Sequence, residues 1–404
     1  MKKKLLNLYQ DSLFRNSFHL MLATAVMAGF GFFFWLISAR LAPTGNIGIA
    51  TALISMMNII AIFSLIGFDS AIIRFLSHST QRNDKLNTGI ILVGMTALIL
   101  GGFFVFFVRD ISPQLAFIRE SPLISLLFIL FCVMSAINIL TDAVFLAYRQ
   151  TKFSLIINTI FSFIRMLLPF AFASFGAFGI FSAAAAGQSI GFVLSIGVMI
   201  WKFDYHPEFI INFDVIKQVW RYCTGNYIAG ALNLLPVMIL PIIITNHLGS
   251  KEAAYFYIVM MIANLLYVIP QATTKSLFAE GSHDEKAISI NIKKSIKIIS
   301  LLLLPAIIVL SLAGGKILNF FGKEYSNQGI EFLRIVVIAG IAIAIYSVFM
   351  SLLRVKKDLR GLIITNIFYA GSIIGLSYTL LSMGLVGIGI AWLAGNIVAS
   401  VVSY

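Results

Sequence analysis

The sequence predicts an all-α polytopic membrane protein with about twelve transmembrane helices in two six-helix lobes. Three observations carry that reading. Across 404 residues, 60% are hydrophobic, only 11% are charged, and the mean hydropathy is +0.98. Soluble domains carry about 25% charged residues, so a water-soluble globule is excluded. The apolar residues fall in blocks of about 20, the length that lets a helix cross a hydrocarbon core of roughly 30 Å. The second half of the chain also echoes the first.

The predicted spans are 17–37, 47–67, 86–108, 123–147, 153–174, 177–200, 226–246, 253–273, 296–313, 332–353, 362–382 and 385–403. The first could be a cleaved signal sequence after Lys2, Lys3 and Lys4, but its apolar run exceeds the usual 7 to 15 residues, so it reads as a retained helix. The net charge of +13 first suggests a polyanionic partner; its distribution makes it a topology signal instead. With the amino terminus inside, 21 of the 29 basic residues fall on inner segments and 6 on outer ones, while Arg165 and Arg334 lie within spans. The positive-inside rule then places both termini in the cytoplasm of a cell with an inner membrane, and no nucleic acid is expected as a partner.

Shifting the chain by roughly 207 positions superposes separate stretches in the same order. The run GAFGIFSAAAAGQ from Gly176 matches GLVGIGIAWLAGN from Gly384, pairing Gly176/Gly384, Gly179/Gly387 and Gly187/Gly395. Six spans per half is an even number. The copies should therefore share one orientation, related by a pseudo-two-fold along the membrane normal, as in alternating-access transporters. The expected division is an N-lobe at 1–200, a cytoplasmic linker at 201–225 containing an interfacial helix, and a C-lobe at 226–404.

Polar side chains are costly in lipid, so aligned ones should face a protein interior or a wet cavity. Span 5 carries Ser154, Asn158, Ser162 and Arg165 on one face, with Arg165 the leading substrate contact. Span 2 offers Thr51, Ser55 and Asn58, and its repeat mate offers Tyr257, Asn264 and Gln271. Span 4 carries Ser135, Asn138, Asp142 and Arg149. Each stripe has a plainer reading as interhelical glue, and Arg165 one as a snorkelling cation. Arg74, Arg149 and Lys275 are candidates for a basic cytoplasmic mouth, although Arg74 could simply pair with Asp69. Gly29 and Gly31 in span 1, and Pro236 and Pro241 in span 7, are candidate hinges.

Enzyme chemistry finds little purchase. There is no GxSxG, HExxH or Walker loop, and no metal site or cofactor is expected beyond a possible coupling proton or sodium ion. Cys132 and Cys223 read as packing residues. The longest outer segments, 109–122 and 314–331, are too short for the outer catalytic domain that a glycan polymerase or ligase would need.

The stretch ISARLAPTGNIGIATALISMMNIIAIFSLIGFDSAIIRFLS, residues 37–77, resembles the opening of Wzx-type polysaccharide-biosynthesis flippases of the multidrug/oligosaccharidyl-lipid/polysaccharide (MOP) superfamily. The similar features are Arg40 with Leu41, Gly48, and Gly67 followed by Arg74. The resemblance implies a transporter that moves a polyprenyl-pyrophosphate-linked oligosaccharide from the cytoplasmic to the outer leaflet, for an O-antigen- or capsule-like polysaccharide. It implies a cationic central cavity, to which Arg165, Arg40 and Arg74 would contribute charge, and glycan-assembly membrane proteins as possible partners. The extra pair of helices found in some lipid-linked-precursor flippases of this superfamily is not expected here. A cation-coupled multidrug exporter of the same superfamily is the alternative, set against by the scarcity of intramembrane acids.

Overall fold

A computed structural model of the chain describes residues 12–76, 79, 81–283, 288–356 and 358–404; Lys2, Lys3 and Lys4 lie outside them. Twelve long helices account for nearly all of it: α1 Ser12–Leu41, α2 Thr44–Ser64, α3 Arg82–Ile111, α4 Pro122–Ala147, α5 Lys152–Leu167, α6 Gly176–Phe203, α7 Phe213–His247, α8 Ser250–His283, α9 Ile288–Phe321, α10 Lys323–Val355, α11 Leu359–Thr379 and α12 Gly384–Ser403. Eleven helical segments are long and apolar enough to cross a bilayer, and one of these, Lys152–Phe203, is 52 residues long and contains both α5 and α6. The protein is a multi-pass membrane protein with the predicted succession of spans.

Contacts divide the chain into two compact units, Met1–Tyr227 and Ile228–Tyr404. In the first, α6 packs against α2, α4 and α5, and α1 lies along α5. In the second, α10 is the hub, packed against α8, α9 and α12, while α11 and α12 form a hairpin.

The paired glycines explain both hairpins. Gly176 and Gly384 have φ of +68° and +60° with ψ of −148° and −143°, a backbone region essentially reserved for glycine. Each follows a single 3-10 turn, Ala173–Phe175 or Leu381–Met383, and each opens the returning helix. Three residues on, a Cβ at Gly179 would collide with the Phe172 carbonyl oxygen, and one at Gly387 with that of Leu380. Further along, Gly187 lets Arg165 approach, where a Cβ would sit 2.7 Å from the arginine Cβ, and Gly395 admits Ile373 in the same way. Small residues permit such close helix contact in lipid. The repeat is thus a repeat of backbone geometry as well as of letters.

Two expectations need correction. The segment before span 7 is not a separate interfacial helix: α7 runs unbroken for 35 residues from Phe213 to His247. No proline interrupts it before Pro236, and the Asn212 side chain accepts the Asp214 amide at 3.0 Å where it starts. The true connection, residues 204–212, is pinned to the start of α3. Tyr205 donates to Asn87 Oδ1 at 2.7 Å, Asn87 Nδ2 donates to the His206 carbonyl at 3.0 Å, and the Asn212 amide donates to Thr88 Oγ1 at 2.9 Å. Burial pushes the Tyr205 hydroxyl pKa up, keeping it a donor. The segment 314–331, expected as an outer loop, is mostly helix: α9 ends at Phe321, α10 starts at Lys323, and Gly322 alone turns the chain at φ +149°.

Candidate functional site

Each unit holds a cavity lined by both polar and apolar side chains, and Met350, Ser351 and Arg354 of the second stand 208 residues after Asp142, Ala143 and Leu146 of the first. In the first unit, Thr24 and Met27 of α1, Asp142 and Leu146 of α4, and Ser154 and Asn158 of α5 line a space of about 300 Å³. The Asp142 carboxylate faces the side chains of Ser154 and Asn158. Ser154 and Asn158 are 2% and 7% exposed, so both are held in place by the fold. An acid in this setting costs free energy unless a cation or proton accompanies it.

The second unit encloses a larger cavity of about 520 Å³ between α7, α8, α10, α11 and α12. One wall is a hydrogen-bonded triad. Asn233 Nδ2 donates to the Tyr346 hydroxyl at 2.9 Å and to Asn366 Oδ1 at 3.1 Å, and Tyr346 donates to the same Asn366 oxygen at 3.0 Å. Asn366 is itself anchored by donating to the Leu362 carbonyl at 2.8 Å. The Tyr346 and Tyr369 rings stack 5.3 Å apart at 7°, and Trp392 meets Tyr369 edge-on at 6.5 Å. Asn264, Gln271, Ser347 and Arg354 also line it, beside apolar Leu234, Val237, Ile343 and Met350. Aromatic faces with amides, hydroxyls and one guanidinium give a pocket that offers stacking and oriented polar contacts to a hydroxyl-rich, anionic ligand.

The helix register explains the placement. Tyr346, Ser347, Met350 and Arg354 recur at helical spacing along one face of α10. The predicted span ended at residue 353, one short of Arg354, because the charge marks the apparent edge of the apolar block; α10 in fact continues to Val355.

Of the residues singled out by sequence, Asp142, Ser154 and Asn158 line the first cavity, and Asn264 and Gln271 the second. Arg165 lines neither. Its stem packs on Gly187 and its guanidinium lies 4.6 Å over the Phe34 ring, a cation–π contact. Ser162 is buried at 4% exposure, and Asn58 is half-buried in α2; neither borders the two cavities. Thr51 bonds within its own helix, donating to the Gly48 carbonyl at 2.7 Å. Arg40 is exposed in the last turn of α1. Arg74 is exposed at the end of the short helix Phe68–Phe75, with its guanidinium 5.6 Å over the Phe75 ring, and Arg149 is exposed in a turn at φ +55°. The side chain of Lys275 lies outside the described residues. Gly29 and Gly31 sit within an uninterrupted α1, and Pro236 and Pro241 within an uninterrupted α7. Asn233, Tyr346, Arg354, Tyr369 and Trp392 were not among the predicted site residues. Asn366 stands 208 residues after Asn158, the same offset that separates Gly176 from Gly384.

Solved structures of the same fold include an inward-facing multidrug resistance MATE family transporter of the MOP superfamily, with TM-score 0.71, 15% identity, and coverage of 95% of this chain and 96% of that one. Another is the lipid II flippase MurJ in an inward closed conformation, with TM-score 0.74, 14% identity, and coverage of 95% and 86%. No curated sequence matches this chain. A family model described as polysaccharide biosynthesis protein matches residues 37–330, and the chain belongs to that family.

Proposed function

We propose that this protein is a flippase that carries a polyprenyl-pyrophosphate-linked oligosaccharide from the cytoplasmic to the outer leaflet by alternating access, supplying a surface polysaccharide. The observation that carries this reading is the cavity of the second unit, in a chain of a polysaccharide biosynthesis family. Its amides and hydroxyls suit sugar hydroxyls, the Tyr346, Tyr369 and Trp392 side chains give it an aromatic border, and Arg354 suits a phosphate. Nothing in that set suits bond-breaking chemistry, so the protein binds and moves its cargo rather than altering it. In this reading both termini are cytoplasmic, glycan-assembly membrane proteins supply the cargo, and the Asp142 cavity holds the coupling proton or sodium ion.

The test is reconstitution into vesicles loaded with a fluorescent polyprenyl-pyrophosphate glycan. Wild-type protein should expose the glycan to an external lectin or quencher much faster than empty vesicles, and an imposed proton or sodium gradient should accelerate exposure. Efflux of cationic dyes with no glycan movement would instead identify a drug exporter. Asp142→Asn should remove the acceleration by the gradient while leaving slow downhill flipping; unchanged gradient dependence would take the coupling role away from Asp142.

A further inference from the structure

The lining of the second cavity divides by exposure. Asn264, Gln271 and Arg354 are exposed, whereas Tyr267, Tyr369, Trp392 and Asn396 border the same space at 2%, 6%, 3% and 1% exposed. A rim of amides and a guanidinium thus surrounds a floor of three aromatic side chains and one amide. Much of the polar capacity nearby is already engaged. The Tyr267 hydroxyl donates to the Val336 carbonyl, and the Tyr346 hydroxyl stands between Asn233 and Asn366.

Two groups on the floor keep capacity for a ligand. Asn396 Nδ2 donates to the Trp392 carbonyl one turn back at 2.8 Å, and that bond fixes which way the amide points. Asn396 Oδ1 is left without a donor among the described residues, on a side chain that is almost wholly buried and borders the cavity. The Tyr369 hydroxyl likewise has no hydrogen-bond partner among the described residues. An acceptor and a hydroxyl held among aromatic rings in this way call for a ligand group that brings its own donor and acceptor. The first unit has no such floor. The positions 208 residues before Tyr369, Trp392 and Asn396 hold Phe161, Ala184 and Gln188, and none of these lines the first cavity.

We infer that the floor of the second cavity selects an acetamido group, so that the cargo sugar seated there is an N-acetylated amino sugar. The amide N–H of that group donates to Asn396 Oδ1, its carbonyl accepts from the Tyr369 hydroxyl, and its methyl rests among the aromatic side chains. A sugar hydroxyl in the same place satisfies one of the two polar groups but brings nothing apolar to the rings around them. The inference rests on the flippase reading and narrows its cargo.

The test compares two cargoes on the full-length protein in phosphatidylcholine vesicles: decaprenyl pyrophosphate carrying tritiated N-acetylglucosamine, and the same lipid carrying tritiated glucose. Flipping is read by added periodate, which cleaves the vicinal diol common to both sugars. Wild-type protein should move the acetamido cargo about tenfold faster or more. Asn396→Leu keeps the side-chain volume and removes the acceptor, and should bring the two rates to within about twofold of each other. Tyr369→Phe should lower the ratio by a smaller factor. Both cargoes are scored on one protein preparation, so loss of folded protein cancels in the ratio. Gln188→Leu, the counterpart change in the first unit, should keep the wild-type ratio. Equal rates for the two cargoes in wild type, or an unchanged ratio in Asn396→Leu, would overturn the acetamido assignment and leave the flippase reading intact. Movement of neither cargo by wild-type protein would overturn both.

Discussion

Where the first cavity holds Asp142 and Leu146, the positions 208 residues on hold Met350 and Arg354, and both of these line the second cavity. Asn158 and Asn366 occupy matching places, as do Asn138 and Tyr346. The two units therefore share a skeleton and an amide but differ in charge: an acid lines the first cavity and an exposed arginine borders the second. They also differ in how tightly the first helix of each repeat closes its cavity. In the first unit α1 lies along α5, locked by Thr151 donating its amide and hydroxyl to Asn16 Oδ1 at 3.2 and 2.8 Å, and by the Phe30–Phe163 ring pair at 5.8 Å. Its mate α7 makes no comparable run of contacts with α11 among the described residues; Asn233 ties it there instead. A smaller cavity with an acid and a larger aromatic one bordered by an arginine suit two cargoes of different size and opposite charge.

The largest test of that contrast is Arg354→Ala. Charged hydrogen bonds contribute about 1.5–3 kcal/mol, so losing this one should slow glycan flipping by roughly 10- to 100-fold. Arg354→Lys should recover part of the loss, since the charge remains but the two-pronged geometry does not. Vesicle assays that find Arg354→Ala indistinguishable from wild type would move the anionic site away from the second unit.

The shared skeleton has its own test. Gly176→Ala and Gly384→Ala each force a side chain into a backbone region that costs of order 1–3 kcal/mol. Both should lower thermal stability in detergent by similar amounts, as equivalent turns require, whereas Gly29→Ala, with nothing within 4 Å of the added carbon, should be neutral or slightly stabilising. A large difference between the two turn variants would mean that the repeats have diverged in mechanics as well as in charge.

Much of this was legible in the sequence because the bilayer writes in blocks of a fixed length. The succession of twelve spans, the glycine pairs and the inward-facing Asn158, Asn264 and Gln271 all follow from helical period and the cost of polar groups in lipid. What stayed hidden depended on contacts between spans distant in sequence. Tyr369 and Trp392 read as ordinary apolar residues until α11 and α12 bring their rings together, and Asn233 looks like a lone polar residue until it meets Tyr346. Charge drew the eye unevenly. Arg165 drew attention because it lies deep in a span, while Arg354 escaped it by standing one residue beyond a predicted edge.

A smaller effect is expected from the tether on α7. Intramembrane hydrogen bonds average only about 0.6 kcal/mol, so an Asn233→Ala, Asn366→Ala double-mutant cycle should return a coupling near that value. A coupling indistinguishable from zero would show that α7 is not held there.

The smallest expected effect separates Arg165 the charge from Arg165 the packing stem. Its repeat mate is Ile373, and the two side chains do the same work, each filling the space left by a glycine on the returning helix. Arg165→Met preserves most of that volume and removes the cation from above Phe34, a contact worth about 0.5–2 kcal/mol. Flipping by Arg165→Met should remain within about twofold of wild type, while Arg165→Ala, which empties the space beside Gly187, should lower stability first and transport only as a consequence. If Arg165→Met instead abolished flipping with the protein intact and abundant, the first unit would contribute a cation to the substrate after all, and the division of charge between the two units would be lost.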